Sequence, residues 1–346
     1  MHIPENYLSP STCAVTTVAM VPVWGHSIRK VAKEMPKEKM PLLGVGAAFS
    51  FLAMMFNVPL LGGTTGHAVG GTLIALLFGP EAACIAVSIA LFIQAALFGD
   101  GGILSFGANC FNMAFVLPFV GFYLYKLLSK IFAGKKNGMA GRLVAAGISS
   151  YVGLNLAAFL TAIEFGIQPM IFKDAMGNAL YCPYDLSVSI PAMMLSHLLI
   201  AGVVEAAFTV AVYAFVMKVS PDMVYENWKV EDSVTEEAKA KKHIPVYALV
   251  AVLIAATPLG LLATGTAWGE WGAEEIAEIE NDGIALGYTP GGLENGWSLE
   301  AVIPDYAIEG MNEVVAFILS AVLGVALLVI FFKIISLPMK GKKNVA

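Results

Sequence analysis

The sequence predicts an all-α integral membrane protein with about nine transmembrane helices. Of its 346 residues, 58% are hydrophobic and only 13% are charged, whereas soluble domains carry roughly 45–50% apolar and about 25% charged residues. A chain with so few charges cannot cover a surface that faces water, so membrane lipid is its expected solvent. Long apolar stretches and an uneven distribution of Lys and Arg support the same fold class.

The apolar stretches define the helices. A helix that crosses a membrane needs about 20 apolar residues, and nine stretches approach or exceed that length. They lie near 10–28, 41–60, 67–79, 82–98, 106–130, 142–164, 186–217, 244–266 and 314–336. The third is too short to cross alone, so we expect it to borrow residues from the glycine-rich segment before it or to be partly re-entrant.

The basic residues predict the orientation. Nine spans place the two termini on opposite sides of the membrane, and loops on the cytoplasmic side carry an excess of Lys and Arg. With the N-terminus extracytoplasmic and the C-terminus cytoplasmic, every Lys and Arg except Lys173 falls on the cytoplasmic side. Met1 and His2 are therefore expected to face the exterior.

The charge distribution also divides the chain into three parts. Residues 1–218 form a membrane unit of seven helices, and 219–243 are charged and polar, as in a cytoplasmic linker. Residues 244–346 contain two transmembrane helices around an extracytoplasmic loop, 267–313, which is rich in acids and has no Lys or Arg. Such a loop is most simply a solvated face, although it could also attract cations loosely.

Several chemistries are absent from the sequence. The four cysteines stand singly without CxxC spacing, which is typical of small core residues and not of a disulfide framework or a thiolate metal site. No GxxxxGK[ST] run occurs, so any use of ATP must come from a partner. Neither HExxH nor a paired carboxylate–histidine motif is present, which argues against a membrane metalloenzyme. We expect no catalytic residues, no cofactor and no nucleic-acid partner.

Two histidines stand out. The chain opens with MHIPENYLSP, and His67 lies in LLGGTTGHAVGGTL. The predicted topology places both His2 and His67 on the external side. Glycines let backbone segments approach closely, so the His67 imidazole can point into a cavity instead of into lipid.

The start of the chain has the donors of a metal chelate. The Met1 amine, the His2 amide nitrogen and His2 Nδ1 can close adjacent chelate rings on one metal, nearly in one plane because the peptide unit is planar. The remaining position in that plane suits a neutral imidazole such as His67, and four coplanar nitrogens favour Ni(II) or Cu(II) over tetrahedral Zn(II). From the residues alone an alternative stays open, in which His2 is a disordered terminal residue and His67 a packing residue.

Polar residues near the predicted external face are candidates for supporting such a site. The run QAALFGDGGILSFGANCFNMAF carries Asp100, Asn109 and Asn112, and an amide or carboxylate can orient a ligand imidazole and select its tautomer. Interhelical hydrogen bonding is the simpler role for Gln94 and for Asn155.

The last helix of the first unit also carries polar residues. His197 and Glu205 stand eight residues apart, a spacing that can place both on one face of a helix. They would then pair inside the bundle or contact a partner.

Four motifs together resemble a known family. They are MHIPENYLSP, GGTTGHAVGGTLIALLFGPEAA, LFGDGGILSFGANCFNMAFVLPFVGF and SHLLIAGVVEAAFT. In this order they resemble the CbiM/NikM family, the substrate-specificity subunits of energy-coupling-factor transporters for cobalt and nickel, over most of 1–217. The resemblance implies that the metal is bound by the Met1 amine, by the amide and imidazole of His2, and by His67.

The end of the chain shows a second resemblance. WGEWGAEEI, YTPGGLE and IPDYAIEG, placed between two spans, resemble the small accessory N subunit with its PDGLE-type region, here fused to the first unit. Such a part is thought to assist metal loading. The chain reads PGGLE where the cobalt-type pattern tends to read PDGLE, which favours nickel.

The two resemblances imply a function. They indicate the substrate-binding membrane component of an ATP-driven importer that captures Ni²⁺, or Co²⁺, outside the cytoplasmic membrane of a bacterium or archaeon. Its implied partners are a transmembrane coupling subunit of the T/Q type and cytoplasmic ATPase subunits of the A/O type. The alternative is a proton-coupled secondary transporter without an ATPase. That class often shows inverted repeats, and no convincing internal repeat occurs here.

Overall fold

The computed structural model describes residues 1–60, 64–132, 138–230, 243–263, 265–281 and 284–338. Within these ranges, seven helical segments are long and apolar enough to cross a membrane. They are Lys37–Met55, Pro80–Phe98, Phe106–Phe132, Met139–Ile171, Leu186–Val219, Ile244–Leu262 and Glu313–Ser336. Each coincides with a stretch that the sequence predicts as a span.

The other two predicted spans differ from these seven. The stretch 67–79 contains only the helix Gly71–Phe78, which at 1.5 Å per residue is about 12 Å long and too short to cross a membrane. The stretch 10–28 lies in a helix of 25 residues, Pro10–Glu34, which is long enough but less apolar than the seven. The predicted count of nine is therefore not confirmed.

We number the principal helices in chain order. They are α1 (Pro10–Glu34), α2 (Met40–Met55), α3 (Gly71–Phe78), α4 (Pro80–Ile93), α5 (Phe106–Asn109 continuing through Cys110–Val116 and Leu117–Phe132), α6 (Met139–Gly166), α7 (Leu186–Ser196 continuing through His197–Ala201 and Gly202–Val219), α8 (Ile244–Ala256) and α9 (Glu313–Ser336).

Shorter elements connect them. The short α-helices are Gln168–Ile171 and Gly291–Asn295, and 3₁₀ turns occur at Lys37–Lys39, Pro221–Met223, Tyr225–Val230, Thr257–Leu262, Ile276–Glu278 and Pro304–Tyr306. Two antiparallel ribbons pair Val58–Pro59 with Thr65–Gly66 and Glu280–Asn281 with Ile284–Ala285. About half of the predicted linker, residues 231–242, lies outside the described residues.

Local sequence explains where several helices begin. Ser9 caps α1 by accepting a hydrogen bond from the Thr12 N–H, and Pro10 occupies the first turn. Asp185 and Asn312 cap α7 and α9 in the same way. These side chains satisfy N–H groups that have no partner within the helix. Proline is well tolerated in the first turn, because the N–H that it lacks would have no partner in the helix.

Three of the long helices contain a π-helical turn. α4 ends in one at Gln94–Phe98, α5 contains one at Cys110–Val116, and α7 contains one at His197–Ala201. Such turns shift the register of a helix by inserting a residue, and they occur often at functional sites.

Helix α2 lies at the centre of the bundle and is buried along nearly its whole length. It packs against α9 from the end of the chain, and glycines permit the close approach: a Cβ on Gly44 would lie 3.0 Å from Phe332 Cβ, and one on Gly324 would overlap Phe51. Small residues have this role in membrane helix packing. The last helix therefore shares a core with the first unit.

The described parts of the loop 267–313 fold over the end of the bundle where the chain begins. Its main chain bonds to the first unit through the Ile303 N–H to the Leu97 carbonyl at 2.8 Å and the Gly292 N–H to the Leu180 carbonyl at 2.7 Å. Ile276 is fully buried. The loop is thus partly a packed cover, and not only the solvated face that its acids suggest. The four cysteines are buried and free, in agreement with the sequence analysis.

The contact between α3 and α5 can be tested with one methyl group. A Cβ on Gly121 would lie 2.9 Å from the Cβ of buried Thr72 and overlap its hydroxyl. We expect Gly121→Ala to destabilise the protein by about 1–3 kcal/mol through overpacking, measured as a lower melting temperature in detergent. Gly25→Ala is the control, because a Cβ there meets nothing within 4 Å. Equal melting temperatures for the two variants would contradict this packing.

Candidate metal centre

The first residues of the chain are buried in the protein. Met1 is 4% exposed, His2 2% and Ile3 0%. Asn109 on α5 holds the Ile3 main chain from both sides, since Oδ1 accepts the Ile3 N–H at 2.8 Å and Nδ2 donates to the Ile3 carbonyl at 3.0 Å. The alternative in which His2 is a disordered terminal residue is therefore wrong.

A second set of bonds anchors the segment just before α1. The Glu5 carboxylate accepts the N–H groups of Ile103 at 2.7 Å and Leu104 at 3.2 Å, and burial raises the Glu5 pKa. A Cβ on Gly102 would lie 2.7 Å from the Glu5 nitrogen, so only glycine fits there. Asn6 then turns the chain with φ of 62°.

This anchoring brings the two predicted histidines together. His67 Nε2 lies 3.2 Å from His2 Nδ1, and the ring centroids are 4.8 Å apart. The other nitrogen of His67, Nδ1, lies 3.1 Å from the Ala68 carbonyl oxygen. A carbonyl only accepts, so in the neutral ring the proton is on Nδ1 and a lone pair on Nε2 faces His2.

The electrostatic surroundings keep His67 neutral. Burial lowers the His67 pKa well below its ordinary value, and the neighbouring His2 and Met1 amine lower it further. Asp100 contacts the same atom of His2 as His67 does, with Oδ1 2.9 Å from His2 Nδ1. Burial disfavours the Asp100 carboxylate, but the His2 ring and its hydrogen bond hold the Asp100 pKa below its usual range.

Two residues of the C-terminal region complete these surroundings. Glu270 Oε1 lies 2.9 Å from the Met1 amine. Tyr306 donates its hydroxyl hydrogen to Asp100 Oδ2 at 2.6 Å. Their motifs, WGEWG and IPDYA, are visible in the sequence, but nothing in those motifs names their partners.

Tyr306 occupies a strained and tightly packed position. Its φ is 60° and that of Asp305 is 53°, a region that side chains rarely adopt and that costs of order 1–3 kcal/mol. The Tyr306 ring stacks on Phe98 with centroids 4.6 Å apart. Gln94 donates to both the Tyr306 hydroxyl and Asp100, so its amide hydrogen bonds lie in this cluster and do not join two packed helices as predicted.

A cavity of about 530 Å³ lies beside the two histidines, between the first unit and the C-terminal region. Its acidic lining residues are Asp100, Glu270, Asp305 and Glu313. Carboxylates around a partly enclosed space raise the local concentration of cations.

The remaining predicted residues have other roles. Asn109 acts on the main chain of Ile3, as described above, and not on an imidazole. Asn112 lies at the α5–α6 contact, where its amide donates to Thr161 at 3.0 Å and to Glu164 at 2.7 Å. The prediction that Asn112 orients a ligand imidazole thus has no support in its contacts.

Side chains alone do not define this centre. Within the described ranges no three His, Cys, Asp or Glu residues are grouped as metal ligands. The candidate set differs from such a group because two of its nitrogens, the Met1 amine and the His2 amide, belong to the main chain.

The fold and the site define a class: a multi-pass transmembrane protein that encloses the first residues of its own chain, with His2 next to His67. The comparisons give the family. Residues 2–223 match CbiM, the cobalt uptake substrate-specific transmembrane region, and 242–340 match the PDGLE domain. The chain belongs to the CbiM family with a fused PDGLE domain, and it is a membrane component of nickel or cobalt transport.

Full-length relatives have the same fused arrangement. The chain is 44% identical to a probable fused nickel transport protein, LarMN, of Lactiplantibacillus plantarum, over 96% of this chain and 97% of that one. It is 45% identical to the fused nickel transport protein NikMN of Rhodobacter capsulatus, over 95% of each chain.

Solved structures match about two thirds of this chain. A crystal structure of a transition metal transporter is 50% identical, with a TM-score of 0.60 over 67% of this chain and 100% of that one. A truncated transition metal transporter is 52% identical, with a TM-score of 0.59 over 63% of this chain and 99% of that one.

Proposed function

We propose that this chain is the substrate-binding membrane component of an ATP-driven energy-coupling-factor importer for Ni²⁺, with Co²⁺ as the second candidate. It captures the metal on the extracytoplasmic side with the Met1 amine, the amide and Nδ1 of His2, and Nε2 of His67. The observation that carries the proposal is the burial of the first residues with His2 Nδ1 3.2 Å from His67 Nε2.

The spacing of the two histidines suits a shared metal. With metal–nitrogen bonds of about 2 Å, neighbouring ligand atoms in a coordination plane lie about 2.8 Å apart. The two histidine nitrogens, 3.2 Å apart, therefore need to move only slightly closer to bind one metal. The metal takes the place of the proton that His2 Nδ1 shares with Asp100, and His67 already presents its lone pair. The Met1 amine and the His2 amide must also lose protons, so binding releases protons and weakens as pH falls.

The donor set favours nickel. Four nitrogens in a plane suit Ni(II) and Cu(II) better than Zn(II), which prefers a tetrahedron. The two fused relatives are named nickel transport proteins, and the PGGLE run agrees with that branch. The acidic cavity beside the site supplies a route along which a hydrated cation approaches the chelate.

Energy comes from partners. The chain has no Walker motif, so we propose a transmembrane coupling subunit of the T/Q type and cytoplasmic ATPases of the A/O type. Their cycle reorients this subunit in the cytoplasmic membrane of a bacterium or archaeon and releases the metal inside. The predicted orientation, with the basic loops in the cytoplasm, places the capture site outside.

Removing either imidazole tests the ligand assignment. We expect His2→Ala and His67→Ala each to weaken Ni²⁺ binding by at least the 10–100-fold that the loss of a ligand's supporting partner typically costs. Calorimetric titration of the purified chain measures this. His26→Ala is the matched control, since its side chain is 67% exposed on α1. Affinity close to wild type in either variant would remove that histidine from the site.

Blocking the amine tests the chain terminus without changing any side chain. Acetylation or an N-terminal extension removes the amine charge and donor at a residue that is only 4% exposed. We expect Ni²⁺ affinity to be lost or strongly reduced, while a C-terminal tag leaves it intact. Equal affinities of N-tagged and C-tagged proteins would show that the amine is not a ligand.

The energy source is tested in membrane vesicles. We expect ⁶³Ni²⁺ uptake when the chain is present with its coupling subunit and ATPases, and loss of uptake when the Walker lysine of the ATPases is replaced. A protonophore should leave ATP-driven uptake largely unchanged. Uptake by this chain alone that collapses with the protonophore would identify a proton-coupled transporter instead.

A further inference from the structure

A buried carboxylate on α7 contacts the glycine-rich segment that carries His67. Glu205 is 0% exposed, and its Oε2 accepts hydrogen bonds from the main-chain N–H groups of Val69 at 2.8 Å and Gly70 at 3.0 Å. Ionisable side chains within membrane helices are costly and are functional candidates by default. Neither the chelate nor the acidic cavity uses Glu205.

The segment that Glu205 contacts has few other restraints. The residues between His67 and the start of α3 are not helical, so the helix ladder does not hold them. Ser50 on α2 donates its hydroxyl hydrogen to the Val69 carbonyl at 2.7 Å. Val69 is therefore held at its N–H by one helix and at its carbonyl by another, two residues after His67.

The conformation of Gly70 explains why the main chain needs a hydrogen-bond acceptor here. Its φ is +72°, and a Cβ there would lie 3.4 Å from the Phe208 ring. The chain turns at this residue to enter α3, and the N–H groups of Val69 and Gly70 point at Glu205 on α7. Buried N–H groups require acceptors, and the Glu205 carboxylate accepts both with one oxygen.

We propose that Glu205 is a positioning residue for His67: by holding the Val69–Gly70 main chain it keeps the His67 ring at the distance from His2 that metal binding needs. The inference rests on the proposed function, since it assigns a support to one of the proposed ligands. Glu205 does not touch the metal, and it acts through the backbone.

Conservative and non-conservative variants separate this role from general stability. Gln keeps one oxygen that can accept both N–H groups, and its second polar atom occupies the place of Oε1, which lacks a hydrogen-bond partner within the described ranges. Leu removes the acceptor and keeps the volume. We expect Glu205→Gln to bind Ni²⁺ within a few-fold of wild type and Glu205→Leu to bind about 10–100-fold more weakly, the range for lost supporting partners.

The experiment uses the purified full chain in detergent, with Ni²⁺ titrated by calorimetry and the Ni(II) ligand-field bands recorded by absorption and circular dichroism. In Glu205→Leu, displacement of the His67 nitrogen from the coordination plane should change those bands. In Glu205→Gln the nitrogen should stay in place and the bands should stay intact. Glu164→Leu is the matched control, because Glu164 accepts a side-chain amide at the α5–α6 contact. Its bands and affinity should stay those of wild type.

Ser50→Ala provides a second variant if Glu205→Leu does not fold. It removes only the hydroxyl bond to the Val69 carbonyl, and we expect a smaller loss of affinity with the same kind of band change. Wild-type affinity and bands in a folded Glu205→Leu overturn the inference. If Glu205→Leu does not fold, wild-type affinity and bands in Ser50→Ala overturn it. An equal loss in Glu205→Leu and Glu164→Leu, with unchanged bands, also overturns it.

His67→Ala in the same series separates the two proposals. If His67→Ala loses Ni²⁺ binding while the folded Glu205→Leu keeps it, the inference fails and the site stands. If His67→Ala binds Ni²⁺ like wild type, the proposed function itself fails.

Discussion

The burial of the Met1 amine and the His2 imidazole at the start of the chain, next to the buried His67 imidazole, is the constraint on which the proposed site depends. Charged and polar groups removed from water need partners, or the burial is costly. The protein supplies them by several elements at once: Glu270 at the Met1 amine, Asn109 at the Ile3 main chain, and the N–H groups after Gly102 at Glu5. Each bond that satisfies the segment also fixes where its nitrogens point.

The C-terminal region contributes to this arrangement directly. The close contact of α9 with α2, permitted by Gly44 and Gly324, joins the two units in one core. From that base Tyr306, in a strained backbone conformation, reaches Asp100 beside His2. Strain of this kind persists where the surrounding packing over-determines it, and here the stacked Phe98 ring and the hydrogen bond to Asp100 do so. The fused domain therefore lies against the proposed metal centre and covers it.

The two histidines are supported by different elements of the fold. His2 depends on contacts with Asp100 and with the end of the bundle where the chain begins, whereas His67 sits on a non-helical segment clamped between α2 and α7. A change in the separation of these helices would move one ring relative to the other. Under the proposed function, such a movement would weaken the chelate.

The sequence by itself determined seven of the nine predicted spans, because the length of an apolar run is a local property that decides whether a helix can cross lipid. It also pointed to His2 and His67, since a terminal histidine and a histidine among glycines are visible without a fold. It could not show that Glu270 meets Met1 or that Tyr306 meets Asp100, contacts that join residues 269 and 206 positions apart. It named Asn112 as a support for a ligand imidazole, whereas the Asn112 amide donates to Thr161 and Glu164 on α6. Partners of buried polar groups depend on how helices pack and where their registers shift, and only the tertiary structure decides that.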